Sequence, residues 1–84
     1  MVTIRNMNKQ QINKSRSLGD HLRTIRNAHH MTQSEVVTYL QLRGIDISRG
    51  SYSHIEMGRR NIPIEVLVAL KELYHMTLDE LLDV

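Results

Sequence analysis

The 84-residue sequence contains no cysteine and no run of apolar residues long enough to span a bilayer. Without cysteine the chain has neither a disulfide framework nor a thiolate metal site, which is typical of proteins in a reducing cytoplasm. The first residues also lack the hydrophobic segment of a secretory signal peptide. These absences predict a soluble cytoplasmic protein that does not enter the membrane.

Residue patterns that carry out chemistry are absent as well. The sequence has no glycine-rich phosphate loop and no convincing set of Ser, His and Asp or of paired carboxylates. Its five histidines include no pair at the i, i+4 spacing of a zinc site, and the adjacent His29 and His30 would point apart on a helix. We therefore expect a protein that is not an enzyme and that uses no metal and no cofactor.

The length of the chain predicts one small domain. A chain of 84 residues lies near the lower limit of length for a core that is stable without disulfides or a bound metal ion. This length leaves no room for a separate ligand-sensing domain. Residues 1–16 are polar and basic without clear helix signals, so we interpret them as an N-terminal arm or a frayed helix. Such an arm either stays loosely ordered or lies along DNA phosphates or in a minor groove. Residues 17–84 are expected to form the domain.

Charge is distributed unevenly along the sequence. Residues 1–60 contain ten Lys or Arg against four Asp or Glu, whereas residues 61–84 contain one against five. Although the formal net charge is only +2, residues 1–60 are therefore basic and residues 61–84 are acidic. Residues 61–84 are called the acidic segment. This asymmetry favours a polyanion as the partner of the basic part, with solvent or protein on the acidic side.

A pair of helices joined by a turn is predicted between residues 31 and 60. Thr32 and Glu35 have the spacing of a capping box, which opens a helix with an apolar face at Val36, Val37 and Leu40. The pattern therefore places the start of the first helix of this pair at Thr32.

The second helix of the pair is predicted over about residues 49–57. Gly44 suits a left-handed end for the preceding helix, either Asp46 or Ser48 can cap the new one, and Gly58 stops it. The helix has only a narrow apolar stripe, and its other face carries small hydrogen-bonding residues and a cation. Such a face is either solvated or suited to the DNA major groove, which admits one α-helix.

Further helices are predicted on both sides of this pair. Ser17 with Asp20 resembles a helix start, and apolar residues continue that helix to about His29. Another helix begins near residue 64, and Thr77 with Glu80 forms a capping box for a last short one. The residues expected to face the core are Leu18, Leu22, Ile25, Ile64, Leu67, Leu70, Leu73, Leu78 and Leu81.

Four runs of the sequence together resemble the lambda-repressor-like helix-turn-helix family, which includes Cro and C1 repressors and other XRE-type regulators. They extend from about Ser17 to Leu82 and are LGDHLRTIR, MTQSEVV, ISRGSYSHIEMGRRNIP and LKELYHMTLDELL. The resemblance implies an all-α, compact bundle of five helices. It also implies a sequence-specific regulator of transcription, which binds a two-fold operator in double-stranded DNA as a homodimer.

The resemblance also implies roles for individual residues. The second helix of the pair, residues 49–57, would be the one that reads DNA and is called the reading helix. Arg26 and Glu56 would form a largely buried ion pair that orients it. The positions that would face the bases are Arg49, Gly50, Ser51, Ser53 and His54. Those that would contact DNA phosphates are Gln33, Arg59, Arg60 and Asn61, and Gln33 can also brace the reading helix. In phage repressors of this family the surface around the last helix often makes the dimer contact; here this helix either makes that contact, through Met76, Leu82 and Val84, or only seals the core.

The sequence departs from the family at the turn and inside the reading helix. The spacing from Gln33 to Glu56 is longer than in the shortest family members by about the number of residues in one and a half helical turns. We therefore expect either a longer first helix of the pair or a longer loop between the two helices. Leu42, Ile45 and Ile47 are expected to fill the extra space. Tyr52 stands where the family usually has an aliphatic residue, and it should pack inward with its hydroxyl at the edge.

The function predicted from the sequence is that of a repressor that occupies an operator in the nucleoid, controlled by its own concentration, by degradation or by a regulatory protein partner. The alternative is a protein-interaction module, such as an antitoxin that binds a partner protein and DNA only secondarily. A third interpretation is a fold retained only for structure, which would show no preference for any DNA sequence.

Overall fold

The structure is a computed structural model that describes residues 14–83, with side chains from residue 17 onward. This part of the chain forms five α-helices and no strand, which confirms the predicted all-α fold. The helices are α1 (Lys14–Ala28), α2 (Gln33–Leu42), α3 (Arg49–Glu56), α4 (Ile64–Tyr74) and α5 (Leu78–Leu82). Within the described residues, no helix has the length and apolar character needed to cross a membrane.

Capping residues place the starts of three helices. At α2 the Glu35 amide donates to Thr32 Oγ1 over 3.1 Å, while the Thr32 amide donates to Glu35 Oε1 over 2.8 Å. Thr77 and Glu80 repeat the same pair of bonds at α5. At α3 the cap is Ser48, whose Oγ accepts from the Ser51 amide over 3.1 Å. Both predicted capping boxes are therefore confirmed. Of the two residues predicted as possible caps of α3, Asp46 and Ser48, the cap is Ser48.

The predicted start of the first helix at Ser17 is wrong, because α1 already includes residues 14–16. Asp20 does not complete a cap for Ser17. Its carboxylate accepts instead from Arg23 over 3.3 Å, and its carbonyl accepts from the Thr24 hydroxyl over 3.0 Å. These contacts stabilise the interior of the helix, so the Ser17–Asp20 spacing does not mark a boundary.

Fourteen apolar side chains contributed by all five helices and by the α2–α3 turn form one buried core. They are Leu22, Ile25, Val36, Val37, Leu40, Ile47, Tyr52, Ile55, Val66, Leu67, Ala69, Leu70, Tyr74 and Leu81. Tyr52 packs inward as expected, but its hydroxyl is buried and not at the edge. Burial raises the pKa of this hydroxyl, and the nearby Glu56 carboxylate raises it further.

Three residues predicted for the core are exposed. Leu42 is 83% exposed, because it follows the buried Leu40 by two positions and so points to the opposite side of α2. Ile64 is 65% exposed, because at about 100° per residue it lies away from the buried face of α4 around Leu70. Leu78 is also exposed, since it is the first residue of a five-residue helix. In the long turn, Ile47 is buried and Ile45 partly so.

Candidate nucleic-acid interface

Helix α1 passes unusually close to the end of α3. Gly19 is buried there, and a Cβ atom at this position would lie 2.3 Å from the Glu56 carbonyl oxygen and 2.7 Å from that of Ile55. Real Cβ atoms do not approach backbone so closely. The absent side chain is therefore what allows the two helices to touch through their backbones. Sequence analysis missed this role, although an isolated glycine inside a helical pattern is a known signal of close packing.

An ion pair joins the same two helices through side chains. Arg26 Nε donates to Glu56 Oε2 over 2.8 Å, and Arg26 Nη2 donates to Glu56 Oε1 over 3.0 Å. Arg26 Nη1 also donates to the Met31 carbonyl over 2.9 Å, in the link between α1 and α2. Both charged groups are buried. The carboxylate at the last residue of α3 is thus fixed in a two-pronged geometry to α1.

Gln33 adds a third helix to this network. Its Nε2 donates to Glu56 Oε1 over 3.0 Å, so the first residue of α2 is tied to the last residue of α3. Gln33 therefore occupies the bracing position that the resemblance suggested. Its side-chain amide is engaged inside the protein, so the donors left free at the α2 N-terminus are the backbone amides of Gln33 and Ser34, which have no intrahelical acceptor.

The electrostatics of the network keep both partners charged. Burial alone would raise the pKa of Glu56, but the hydrogen bonds from Arg26 and Gln33 outweigh it and hold the pKa below its usual value. The hydrogen bond to Glu56 in turn raises the pKa of Arg26, against the opposing effect of burial. At neutral pH the α3 terminus is consequently held by a complete ion pair.

The opposite face of α3 carries the five residues predicted to read bases. Arg49, Gly50 and His54 are exposed, while Ser51 and Ser53 are half-buried. None of their side chains donates or accepts a hydrogen bond within the described part of the protein. The inward face holds Tyr52, Ile55 and Glu56. Helix α3 thus divides into a face fixed to the scaffold and a face open to a partner.

An open depression of about 600 Å³ lies beside the N-terminus of α3. Arg49 borders it together with Gln33, Ser34 and the end of α1 at Asn27. The free amide groups at the start of α2 give this region a partial positive charge, which adds to the charge of Arg49. The structure therefore brings one predicted base-reading residue next to one predicted phosphate contact, in surroundings suited to an anion.

The other predicted phosphate residues follow the C-terminus of α3. Arg59, Arg60 and Asn61 are exposed in the loop between α3 and α4. Arg60 and Asn61 border a smaller hollow of about 230 Å³ that Gly19 also lines. Two groups of predicted phosphate contacts therefore flank α3: Gln33 borders the depression that Arg49 also lines, and Arg59, Arg60 and Asn61 follow the C-terminus of the helix.

The predicted dimer contacts are only partly accessible. Met76 and Leu82 are half-buried and pack against the core of their own chain. Val84 lies outside the described residues, as does most of the predicted N-terminal arm. The most exposed apolar side chains of the acidic segment are instead Ile64 and Val68.

Comparison with known protein families identifies the family of the chain. The model of a family described as a helix-turn-helix domain matches residues 17–84, which is most of the chain. The matched segment contains α2, α3 and the turn between them, together with the helices that support them. No curated protein matches the sequence significantly. No solved structure matches it significantly either.

Proposed function

Since the chain belongs to this helix-turn-helix family, we propose that it is a sequence-specific regulator of transcription that inserts α3 into the major groove of double-stranded DNA. The observation that supports this most directly is the division of α3 into two faces. Its inner face is fixed through Glu56, whereas Arg49 and His54 on the outer face are exposed. A reading helix needs both properties, because base contacts require a rigid presentation of free side chains.

Within this proposal each group of residues has its own task. Arg49 donates two hydrogen bonds from its planar guanidinium to guanine, which offers the acceptors O6 and N7 in the major groove. Ser51, Ser53 and His54 contact neighbouring bases or phosphates. Arg59, Arg60 and Asn61 hold the DNA backbone on one side of α3, while the α2 N-terminus at Gln33 holds it on the other. Phosphate contacts position the protein, and base contacts choose the sequence.

We further propose that the protein acts in the cytoplasm as a repressor and that it binds a two-fold operator as a homodimer. This form of action suits a small domain, because occupation of a promoter requires no second activity. Control would come from the concentration of the protein, from its degradation or from a protein partner.

The test is selection of the purified protein against a random double-stranded DNA pool near physiological salt, followed by sequencing of the retained DNA. Recovery of a two-fold symmetric site would support a dimeric sequence reader, and an unsymmetrical site would support reading by a monomer. If the retained DNA is indistinguishable from the input pool, the proposed function is wrong. Salt concentration must be fixed, since counterion release changes affinity steeply.

A second candidate function is a protein-interaction module that binds DNA secondarily or not at all. The observation that favours it is the set of exposed apolar side chains in the acidic segment, namely Ile64, Val68 and Leu78. Ile64 and Val68 are four positions apart on α4 and so lie on one face of it, and a contiguous exposed apolar patch is a mark of a surface that meets another protein. If the retained DNA is indistinguishable from the input pool, the protein-interaction module becomes the better candidate.

A further inference from the structure

The long turn between α2 and α3 is an ordered spacer. Helix α2 ends at Leu42, and the chain reverses through Gly44, whose φ of +84° suits glycine. The Ile45 amide then donates back to the Leu40 carbonyl over 3.0 Å. Ile47 is buried in the core just before the cap residue Ser48. The turn therefore has a defined path from the end of α2 to the start of α3.

One side chain ties the two ends of this turn together. Gln41, in the last turn of α2, donates from Nε2 to the Ile47 carbonyl over 3.0 Å. Ile47 immediately precedes Ser48, and Arg49 follows as the first residue of α3. The bond thus satisfies a backbone acceptor that lies between two helices, where no helical partner is present. It also fixes the backbone two residues before the predicted guanine-reading side chain.

The other restraint on the turn lies on its far side. Arg43 donates to the Tyr39 hydroxyl over 3.2 Å and forms an ion pair with Glu72 on α4. These exposed contacts anchor the end of α2 to the scaffold, whereas Gln41 reaches forward to the start of α3. Gln41 is therefore the side chain that transmits the position of α2 to the reading helix across the turn.

We infer that Gln41 is a positioning residue for sequence recognition, acting through the Ile47 carbonyl on the placement of Ser48 and Arg49. The inference rests on the proposed function, and it adds a residue that the family resemblance did not indicate. Gln41 is exposed and outside the core, so its substitution leaves the packing of the five helices intact. The bidentate contact of an arginine with guanine is sensitive to small displacements, because both bonds must be aligned at once.

The substitution that tests this inference is Gln41→Glu, which keeps the shape of the side chain but replaces the donor amide with a carboxylate that repels the Ile47 carbonyl. We expect it to lower the ratio of affinity for the selected site over random DNA by about tenfold, which lies within the range for one bidentate contact. Gln41→Lys restores a donor and should recover most of the ratio, although its added charge raises affinity for all DNA. Leu42→Ala is the control, since Leu42 is adjacent and exposed.

A second measurement needs no DNA. Hydrogen exchange of the Ser51 amide, which donates to Ser48 Oγ in the first turn of α3, reports whether the cap is held in place. We expect this exchange to accelerate at least threefold in Gln41→Glu and to stay unchanged in Leu42→Ala, at equal denaturation midpoints. An unchanged affinity ratio together with unchanged Ser51 exchange would overturn the inference. If the wild-type protein prefers no sequence, the proposed function fails, while unchanged Ser51 exchange would still overturn the positioning role.

Discussion

Arg26 and Glu56 meet through two parallel hydrogen bonds of 2.8 and 3.0 Å, although thirty positions separate them in the sequence. The pair joins α1 to the last residue of α3, so the helix proposed to read DNA is fixed on its inner face. A buried ion pair of this kind contributes orientation more reliably than it contributes net stability.

Removal of one partner from this pair should destabilise the protein strongly. Arg26→Ala leaves the Glu56 carboxylate buried with Gln33 as its remaining hydrogen-bond donor from another helix, and we expect a loss of about 3–5 kcal/mol in the free energy of unfolding. Urea denaturation monitored by circular dichroism measures this loss. Arg23→Ala is the matched control, because the Arg23–Asp20 pair is exposed and should contribute less than about 1 kcal/mol. Equal losses in the two variants would contradict the assigned role of the buried pair.

The close approach at Gly19 gives a second prediction about stability. Gly19→Ala adds a methyl group 2.3 Å from the Glu56 carbonyl oxygen, which α1 can accept only by moving away from α3. We expect the free energy of unfolding to fall by about 1–3 kcal/mol or more, although alanine is a better helix former than glycine.

Gly50→Ala provides the opposite case in the same chain. Its Cβ would meet only Ser48 Oγ at 3.9 Å, so this substitution should be neutral or stabilise the protein by up to about 1 kcal/mol. Thermal unfolding of both variants measures the contrast. If Gly19→Ala is also neutral, the backbone contact between α1 and α3 is not as close as described.

Local signals were the part of the fold that sequence could predict best. The capping boxes at Thr32 and Thr77 and the left-handed glycines at 44 and 58 depend on a few neighbouring residues, and all four are present. Periodicity was less reliable at the start of α4, where Ile64 belongs to the apolar stripe but is exposed, because periodicity does not show how far the core extends along a helix. Leu42 was expected to fill space in the long turn, and it is exposed because the path of that turn is not a local property. Complete capping boxes therefore locate the starts of α2 and α5 correctly, whereas the Ser17–Asp20 spacing, which forms no capping box, does not mark the start of α1.

The site depended on relationships that a local pattern does not contain. The Arg26–Glu56 pair was suggested by the family resemblance, since no periodicity connects positions thirty residues apart. Gly19 could have been flagged as an isolated glycine in a helix, but its partner, the Glu56 carbonyl, is visible only in three dimensions. The bond from Gln41 to Ile47 likewise depends on the path of the turn between α2 and α3, which no local pattern specifies.

High pH should unfold the protein through two buried tyrosines. Burial, with the Glu56 charge nearby, raises the pKa of Tyr74 to about 12 and raises that of Tyr52 further. Because the unfolded chain ionises first, near pH 10, the stability contributed by these groups is complete below pH 10 and is lost as the pH rises toward 12 and above. The loss should be at most about 1.4 kcal/mol per pH unit for each tyrosine.

Denaturation midpoints between pH 8 and 12 measure this effect. Tyr74→Phe should flatten part of the alkaline decline, since the hydroxyl that ionises is removed and has no hydrogen-bond partner among the described residues. Tyr39→Phe is the control, because the Tyr39 hydroxyl is bonded to Arg43 at the surface. A decline of equal steepness in wild type and Tyr74→Phe would contradict the assignment to Tyr74.

The choice of DNA sequence should depend on Arg49. Arg49→Ala removes an exposed side chain without a hydrogen-bond partner among the described residues, so the fold should be retained. We expect the preference for the selected site over random DNA to fall by about 1–3 kcal/mol, the value of one bidentate contact with guanine. Competition binding of the two DNAs measures the ratio. Arg23→Ala removes the same charge from α1 and should leave the ratio unchanged; an unchanged ratio in Arg49→Ala would remove Arg49 from the base-reading set.

Substitution of Arg59 should have the complementary effect. Arg59 is exposed in the loop after α3, and in the proposed complex it contacts a phosphate, which every DNA sequence offers equally. Arg59→Ala should therefore weaken binding to the selected site and to random DNA by similar factors. It should also reduce the slope of log affinity against log salt by about one, because one fewer counterion is released. Lys71→Gln removes a cation from the acidic segment and should leave the slope unchanged. If Arg59→Ala alters the sequence preference but not the slope, Arg59 reads a base and the proposed docking of the loop on the backbone is wrong.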